Sequence, residues 1–329
     1  MEKIIQKIQE QIGAGIYSAS LALYQKGSWQ EYYLGLADPD KQEPVIPGLT
    51  YDLASVSKVV GVGTVLAFLV RQGQIDIDRP LASHYPDMEQ AEVTIRQLLT
   101  HTSGWILSSL DEMTWMLRLK RSPAPFEAQG QSPVPLYRCQ FSFVGLSSGE
   151  VVWSGFGPDF SGASLCPLAN EGDYFWPGFS SGANLRGVPA GVVHDPKARV
   201  LGVHAGSAGL FSTIRDMEIF LEHYLQDPFA EILSQNYALE KGKMRSLAWN
   251  LEGDWLDHTG YTGTFLLYNR KLQLAAIFLS NRTYEKDERA QMDPGSESTH
   301  GAHQKRNGRN RKKSFLRRRK KRGLAIAFF

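Results

Sequence analysis

The sequence predicts an α+β fold: an antiparallel sheet flanked by terminal helices, with a helical region inserted into it. Three observations predict it. An amphipathic segment followed by a two-strand pattern opens the chain. An apolar run of helix length and two shorter helical patterns fill the middle. A second two-strand pattern closes it at "HTGYTGTFLLYNRKLQLAAIFLSNRTY".

In chain order, "MEKIIQKIQEQIGAG" spaces Ile4, Ile5, Ile8 and Ile12 on one face of a helix. "GIYSASLALYQKG" and "SWQEYYLGLAD" carry β-branched and aromatic residues around a glycine-containing turn, and read as a hairpin. Asp52 and Ser55 offer capping chemistry before an apolar run that ends near Arg71. The uninterrupted apolar part, 59–70, is about 12 residues long, where a bilayer span needs roughly 20, so it predicts a core helix. "GQIDIDRPLASHYPDM" is a polar connector, and "VTIRQLLTHTSG" a short helix with a loop. "VPAGVVHDPKARVLGVHAGSAGLFST" reads as a glycine-rich loop region, and "TIRDMEIFLEHYL" as another helix. The closing pattern is two antiparallel strands joined at "NRK".

Composition is that of an ordinary globular protein, with 42% hydrophobic and 21% charged residues in 329. The formal charge of +2 hides an asymmetry. Residues 305–322 hold 12 of the 36 Lys and Arg and no acid, leaving 24 basic against 34 acidic residues elsewhere. At face value such a tail suggests nucleic acid or an anionic membrane. Cys139 and Cys166 have no metal or redox spacing. The N-terminal segment lacks a signal-peptide core, which predicts a cytoplasmic protein with no membrane partner.

The chemistry sits in "YDLASVSKVV", residues 51–60. Ser55 and Lys58 are three apart, hence on one helical face and within hydrogen-bond reach. A serine hydroxyl is a poor nucleophile until a base takes its proton. A lysine among apolar neighbours loses solvation and gives up its proton more readily. The spacing alone has a structural alternative, with Ser55 as a cap and Lys58 running its stem along apolar surface.

The order "DLASVSK", "LLTHTSG", "AGLFST", "HTGYTG" before the terminal strands resembles the serine β-lactamase and penicillin-binding family. It is most similar to the class C-like branch of esterases and D-alanyl-D-alanine peptidases, over about residues 1–127 and 174–291. The resemblance implies one β-lactamase-like domain over 1–291. Its sheet part would be about 1–54 and 240–291, and its helical part about 55–239. It further implies Ser55 as the acylated nucleophile and Lys58 as its proton partner. His258, Thr259 and Gly260 stand at the family's Lys-Thr-Gly strand motif, with histidine in place of lysine. The N–H groups of Ser55 and Tyr261 would hold the oxyanion. His101 of "HTSG" reads as a structural turn residue, and Ser57 as a helix residue. No cofactor and no metal is implied; the partner is a small ester or amide.

The family also needs a Tyr-x-Asn or Ser-x-Asn element between the nucleophile helix and the last strands. No such element is read in the chain: Tyr137 is followed by Arg138 and Cys139. The expected place falls in a stretch, 139–172, with no lysine or arginine and no helical or strand period. Read one nucleotide on, codons for 136–141 can give Tyr-Thr-Asp-Val-Asn-Phe, and the codons after them can give an amphipathic helix. The tail behaves alike. Residues of about 128–172 and everything after Gln291 therefore read as out of frame, which makes 292–329 a disordered basic tail with no bearing on nucleic acid. A diverged loop and a genuine tail are the alternative. Three functions stay open: a serine hydrolase working through an acyl-enzyme, a catalytically impaired member lacking the proton relay, and a nucleic-acid-binding role for the tail.

Overall fold

The computed structural model describes residues 2–12, 14, 16–83, 92–104, 191–201 and 205–284, with the backbone of short strands at 143–145, 151–153 and 166–167. Helix α1 (Glu2–Gln11) buries Ile4 and Ile8, with Ile5 and Ile12 packed beside them. Strands β1 (Ser18–Gln25) and β2 (Ser28–Asp38) form the first hairpin. Its turn residues Lys26 and Gly27 both have positive φ, 54° and 80°, the twist that two-residue hairpin turns favour.

The first and last described strands meet in one sheet. β1 pairs antiparallel with β12 (Leu274–Ser280), from Ala19 opposite Ser280 to Tyr24 opposite Ala275. With β3 (Glu43–Pro44), β9 (Asn250–Glu252), β10 (Trp255–Thr259) and β11 (Phe265–Asn269) the sheet has seven strands in the order β3-β2-β1-β12-β11-β10-β9. The two-residue period sends alternate side chains to opposite faces. Ala19, Leu21 and Leu23 of β1 join the α1 cluster, while Ala22 and Tyr24 join the larger core. That larger core is closed by α5 (Ile214–Gln226), which buries Met217, Phe220, Leu221, Tyr224 and Leu225. Thr213 caps α5 by accepting the N–H of Asp216. Both sheet faces are thus covered by helix, one by the expected N-terminal α1 and the other by α5 of the inserted region; the terminal helix expected after residue 291 lies outside the described residues.

The inserted region departs from prediction at its first element. In place of one helix from residue 52 onward there is a 3-10 turn (Ala54–Val56), a π-helical stretch (Lys58–Gly63) and only then α2 (Thr64–Arg71). The wide turn leaves carbonyls out of α-helical register. The Thr64 hydroxyl lies 2.8 and 2.9 Å from the oxygens of Val59 and Val60, and 2.6 Å from the Tyr224 hydroxyl. Gly63 permits the packing, since a Cβ there would stand 2.9 Å from both Ala248 Cβ and Lys58 O. The 54–71 stretch is apolar enough to pass for a membrane span, yet 67% of it is buried in the fold.

Helix α3 (Ile95–Leu99) carries a capping box between Thr94 and Gln97. The segment read as a glycine-rich loop holds α4 (Pro196–Leu201) and β8 (Leu210–Ser212). β8 pairs with β4 (Tyr51–Asp52) on one side and β7 (Cys166–Pro167) on the other, and β5 (Phe143–Gly145) pairs with β6 (Val151–Trp153). Apart from the backbone of β5, β6 and β7, residues 128–172 lie outside the described residues, as does the tail 292–329.

Candidate active site

The nucleophile turn is built by short-range chemistry and then stitched to three distant segments. Asp52 ends β4, and its Oδ1 accepts the N–H of Ala54 at 2.7 Å. Ala54 has φ +46°, a left-handed conformation that costs an alanine free energy. This sharp step turns the chain from strand into helix and brings Ser55 outward. Leu53 N–H donates to Leu210 O at 2.9 Å, and the Ser57 hydroxyl accepts the N–H of Leu210 at 3.1 Å. Ser57 is buried and occupied in holding β8, while Ser55 and Lys58 are the two residues of 51–60 that keep partial exposure.

Lys58 Nζ is 2.9 Å from Ser55 Oγ and donates to Ser207 O at 2.8 Å. Burial lowers the lysine's pKa, with Asp195 opposing from a distance. In the neutral amine, one N–H stays on Ser207 O and the lone pair is left to accept the serine proton. Ser55 is not a helix cap: its hydroxyl faces Lys58, and the local N–H is capped by Asp52 instead.

The "HTGYTG" segment closes over this turn. β10 ends at Thr259, and Thr262 and Thr264 donate their hydroxyls to Asp52 O and Leu53 O at 2.7 and 2.9 Å. Gly260 must be glycine at this contact, because a Cβ would lie 2.6 Å from Leu53 O and 1.9 Å from Thr264 Oγ1. Tyr261 is fixed on three sides. Its ring stacks on His194 with centroids 4.9 Å apart, Arg282 sits 5.8 Å above it, and Arg282 Nη2 donates to its carbonyl. Thr259 is exposed beside Gly260.

His258 is buried, with Nδ1 3.0 Å from Thr259 O. Burial first, then the charges of Lys58, His101 and Arg245, push its pKa down to about 3. His101 sits edge-on to it at 6.5 Å between centroids, and is itself pushed down to about 4 by burial, Arg245 and Lys58. Both imidazoles are therefore neutral near pH 7. The strand motif carries no cation here; the standing positive charge near it is the Arg245 guanidinium, and Lys58 adds one only while it is protonated. The Arg245 Nη1 atom is buried with no hydrogen-bond partner among the described residues.

The structure thus brings Ser55, Lys58, His258, Thr259, Gly260 and Tyr261 to one place. Asp52, His101, His194, Ser207 and Arg245 join them unannounced by spacing. Asp52 and His101 had a visible signal, since each lies within or beside one of the ordered motifs. Ser207 acts through its backbone and has none. The expectation that the chain holds no Tyr-x-Asn or Ser-x-Asn element needs correction, since Ser234-Gln235-Asn236 stands between the nucleophile helix and the last strands. Asn236 is spent on its own loop, accepting the N–H of Ala238 and Arg245 and donating to Lys243 O. Among the described residues no cluster of three or more His, Cys, Asp or Glu is placed to hold a metal.

Comparison with known proteins identifies the family and the fold. The beta-lactamase family model matches residues 2–130 and 165–298. A beta-lactamase/D-alanine carboxypeptidase from Pseudomonas syringae superposes with a TM-score of 0.58 at 17% identity, covering 88% of this chain and 96% of that one. A class C beta-lactamase from Rhodobacter sphaeroides gives 0.58 at 18%, with 88% and 96% covered. A D-alanine carboxypeptidase AmpC from Burkholderia cenocepacia gives 0.57 at 14%, with 88% and 96% covered. No curated protein sequence matches the chain. At these identities the solved structures speak for the fold, the mixed helix and antiparallel sheet of β-lactamases and transpeptidases, while the family model spans most of the sequence on both sides of 131–164. The chain belongs to the beta-lactamase family, whose fold serves serine hydrolases.

Proposed function

We propose that the protein hydrolyses an ester or amide of a small molecule through an acyl-enzyme on Ser55. The observation that carries this is the 2.9 Å contact between Lys58 Nζ and Ser55 Oγ, beneath the edge formed by Gly260 and Tyr261. The Ser55 proton passes to the Lys58 amine as Oγ bonds to the substrate's carbonyl carbon. The oxyanion is held by the N–H groups of Ser55 and Tyr261. Its collapse expels the alcohol or amine, which recovers the proton. Water then attacks the acyl carbonyl, Ser55 is released with its proton restored, and the acid leaves. Thr259, exposed at the end of β10, orients the substrate by hydrogen bonds, while the buried, neutral His258 on the strand's other side brings no charge to that edge. The reaction draws on no cofactor or metal.

An esterase or peptidase acting on small substrates fits this better than antibiotic breakdown, given the sequence-based expectation of a cytoplasmic protein. The test is hydrolysis of a chromogenic ester and a chromogenic cephalosporin by wild type and Ser55→Ala. Ester turnover that drops by about 10³-fold or more in the variant is the expected result, on the scale of losing a nucleophile. Equal turnover by both proteins contradicts the proposal.

A further inference from the structure

One buried carboxylate outside the proposed reacting groups touches both walls of the site. Asp52 is 2% exposed. Its Oδ1 accepts the N–H of Ala54, the residue before the nucleophile, at 2.7 Å. Its Oδ2 accepts the N–H of His194, 142 residues away, at 2.8 Å. Ala54 is held at φ +46°, where only local hydrogen bonding keeps a non-glycine residue cheaply. His194 in turn lays its ring on Tyr261 at 4.9 Å, beside the N–H that faces the oxyanion. The carbonyl of Asp52 also accepts the Thr262 hydroxyl, so the residue reaches the closing segment a second way.

We infer that Asp52 is a positioning residue for acylation: its two carboxylate oxygens set the Ser55 turn and, through His194, the Tyr261 wall in one fixed relation. The inference rests on the serine hydrolase reading. Both acceptor positions are needed at once, and a carboxylate is the side chain of this length that accepts on both oxygens. Burial pushes the pKa of Asp52 up to about 6, the N–H groups of His194 and Ala54 hold it down, and the charges of Asp195 and Arg199 act on it in opposite directions. The carboxylate therefore stays charged near pH 7 because it is hydrogen-bonded, and its role is geometric.

Asp52→Asn has nearly the same shape but must turn an amide N–H₂ toward one of the two N–H donors, so one contact is lost. The experiment measures labelling of the full-length protein by a fluorophosphonate probe, resolved into the maximal rate and the half-saturating concentration. Asp52→Asn is expected to lower the maximal rate by about 10- to 100-fold, the scale of a small misplacement of reacting groups, with half-saturation changed less than about threefold. Adding Ala54→Gly, which needs no help to adopt positive φ, is expected to restore at least about threefold of the lost rate. A purely structural role would not give that rescue. Wild-type rates in Asp52→Asn overturn the inference alone and leave the hydrolase reading standing. A variant that is unfolded by circular dichroism in both backgrounds overturns it too, by making Asp52 a group the fold needs. Wild type that fails to label overturns the hydrolase reading and this inference together.

Discussion

At Lys58, burial and chemistry pull together. The side chain is removed from most of its water, which disfavours the ammonium form, and no carboxylate among the described residues contacts Nζ to restore it; Asp195 acts only at a distance. Its nearest partners are neutral oxygens, Ser55 Oγ and Ser207 O. The free amine that accepts the serine proton is thus favoured as pH rises. The account predicts that the acylation rate with a neutral ester increases with pH and levels off below lysine's ordinary 10.5, because the group's pKa is lowered. A rate–pH profile measures this directly, and an inflection at or above that value would contradict it. The serine–lysine pair was legible in the sequence because it is local: three residues fix its geometry once the chain turns helical. Gly260 and Tyr261 were legible through the order of motifs. Ser207 and His194 were not, because the contacts that bring them to the site span 149 and 142 residues and use backbone atoms, which leave no pattern in side-chain types.

Among the elements, the amphipathic helices and long strands followed from periodicity, whereas β9 and β10 did not, being short strands whose pairing depends on the rest of the sheet. The π-helical stretch was equally invisible, since its apolar pattern is that of an ordinary helix and the Thr64 hydroxyl beside it meets Tyr224, 160 residues away. Where α5 meets β2, the fully buried Glu218 carboxyl faces Glu31, held by an Arg215 that is itself mostly exposed. Burial raises the Glu218 pKa from 4.5 to about 7, Arg215 lowers it, and Glu31 adds to the rise. A carboxyl whose pKa is raised by folding stabilises the fold fully below its unfolded pKa and loses that contribution as pH climbs through the folded one. Thermal unfolding should therefore show the melting temperature falling between about pH 4.5 and 7, with Glu218→Gln flattening that slope. An unchanged slope in the variant would contradict the assignment.

Over the whole molecule, the seven-stranded sheet pairs the first described strand with the last, and the site forms where the inserted region returns to the closing strands. The family match covers residues on both sides of 131–164 and omits that stretch, which falls within the segment that reads as out of frame. It continues to residue 298, seven residues past the point where the second slip was placed. The frame-slip proposal predicts that sequencing the gene finds codons at 136–141 that give Tyr-Thr-Asp-Val-Asn-Phe one nucleotide on; incompatible codons end it. If the chain is made as written, it lacks a tyrosine placed by the family's pattern, and acylation of Ser55 rests on Lys58 and the backbone donors described above. The central claim is that an alcohol and a desolvated amine, one turn apart, form a working nucleophile under the Gly260–Tyr261 edge. Its most direct test is mass spectrometry of the folded protein after treatment with a fluorophosphonate. The account predicts a single adduct on the peptide containing Ser55, absent from Ser55→Ala and strongly slowed in Lys58→Met. Folded wild-type protein that carries no adduct, or carries it on another serine, would contradict it.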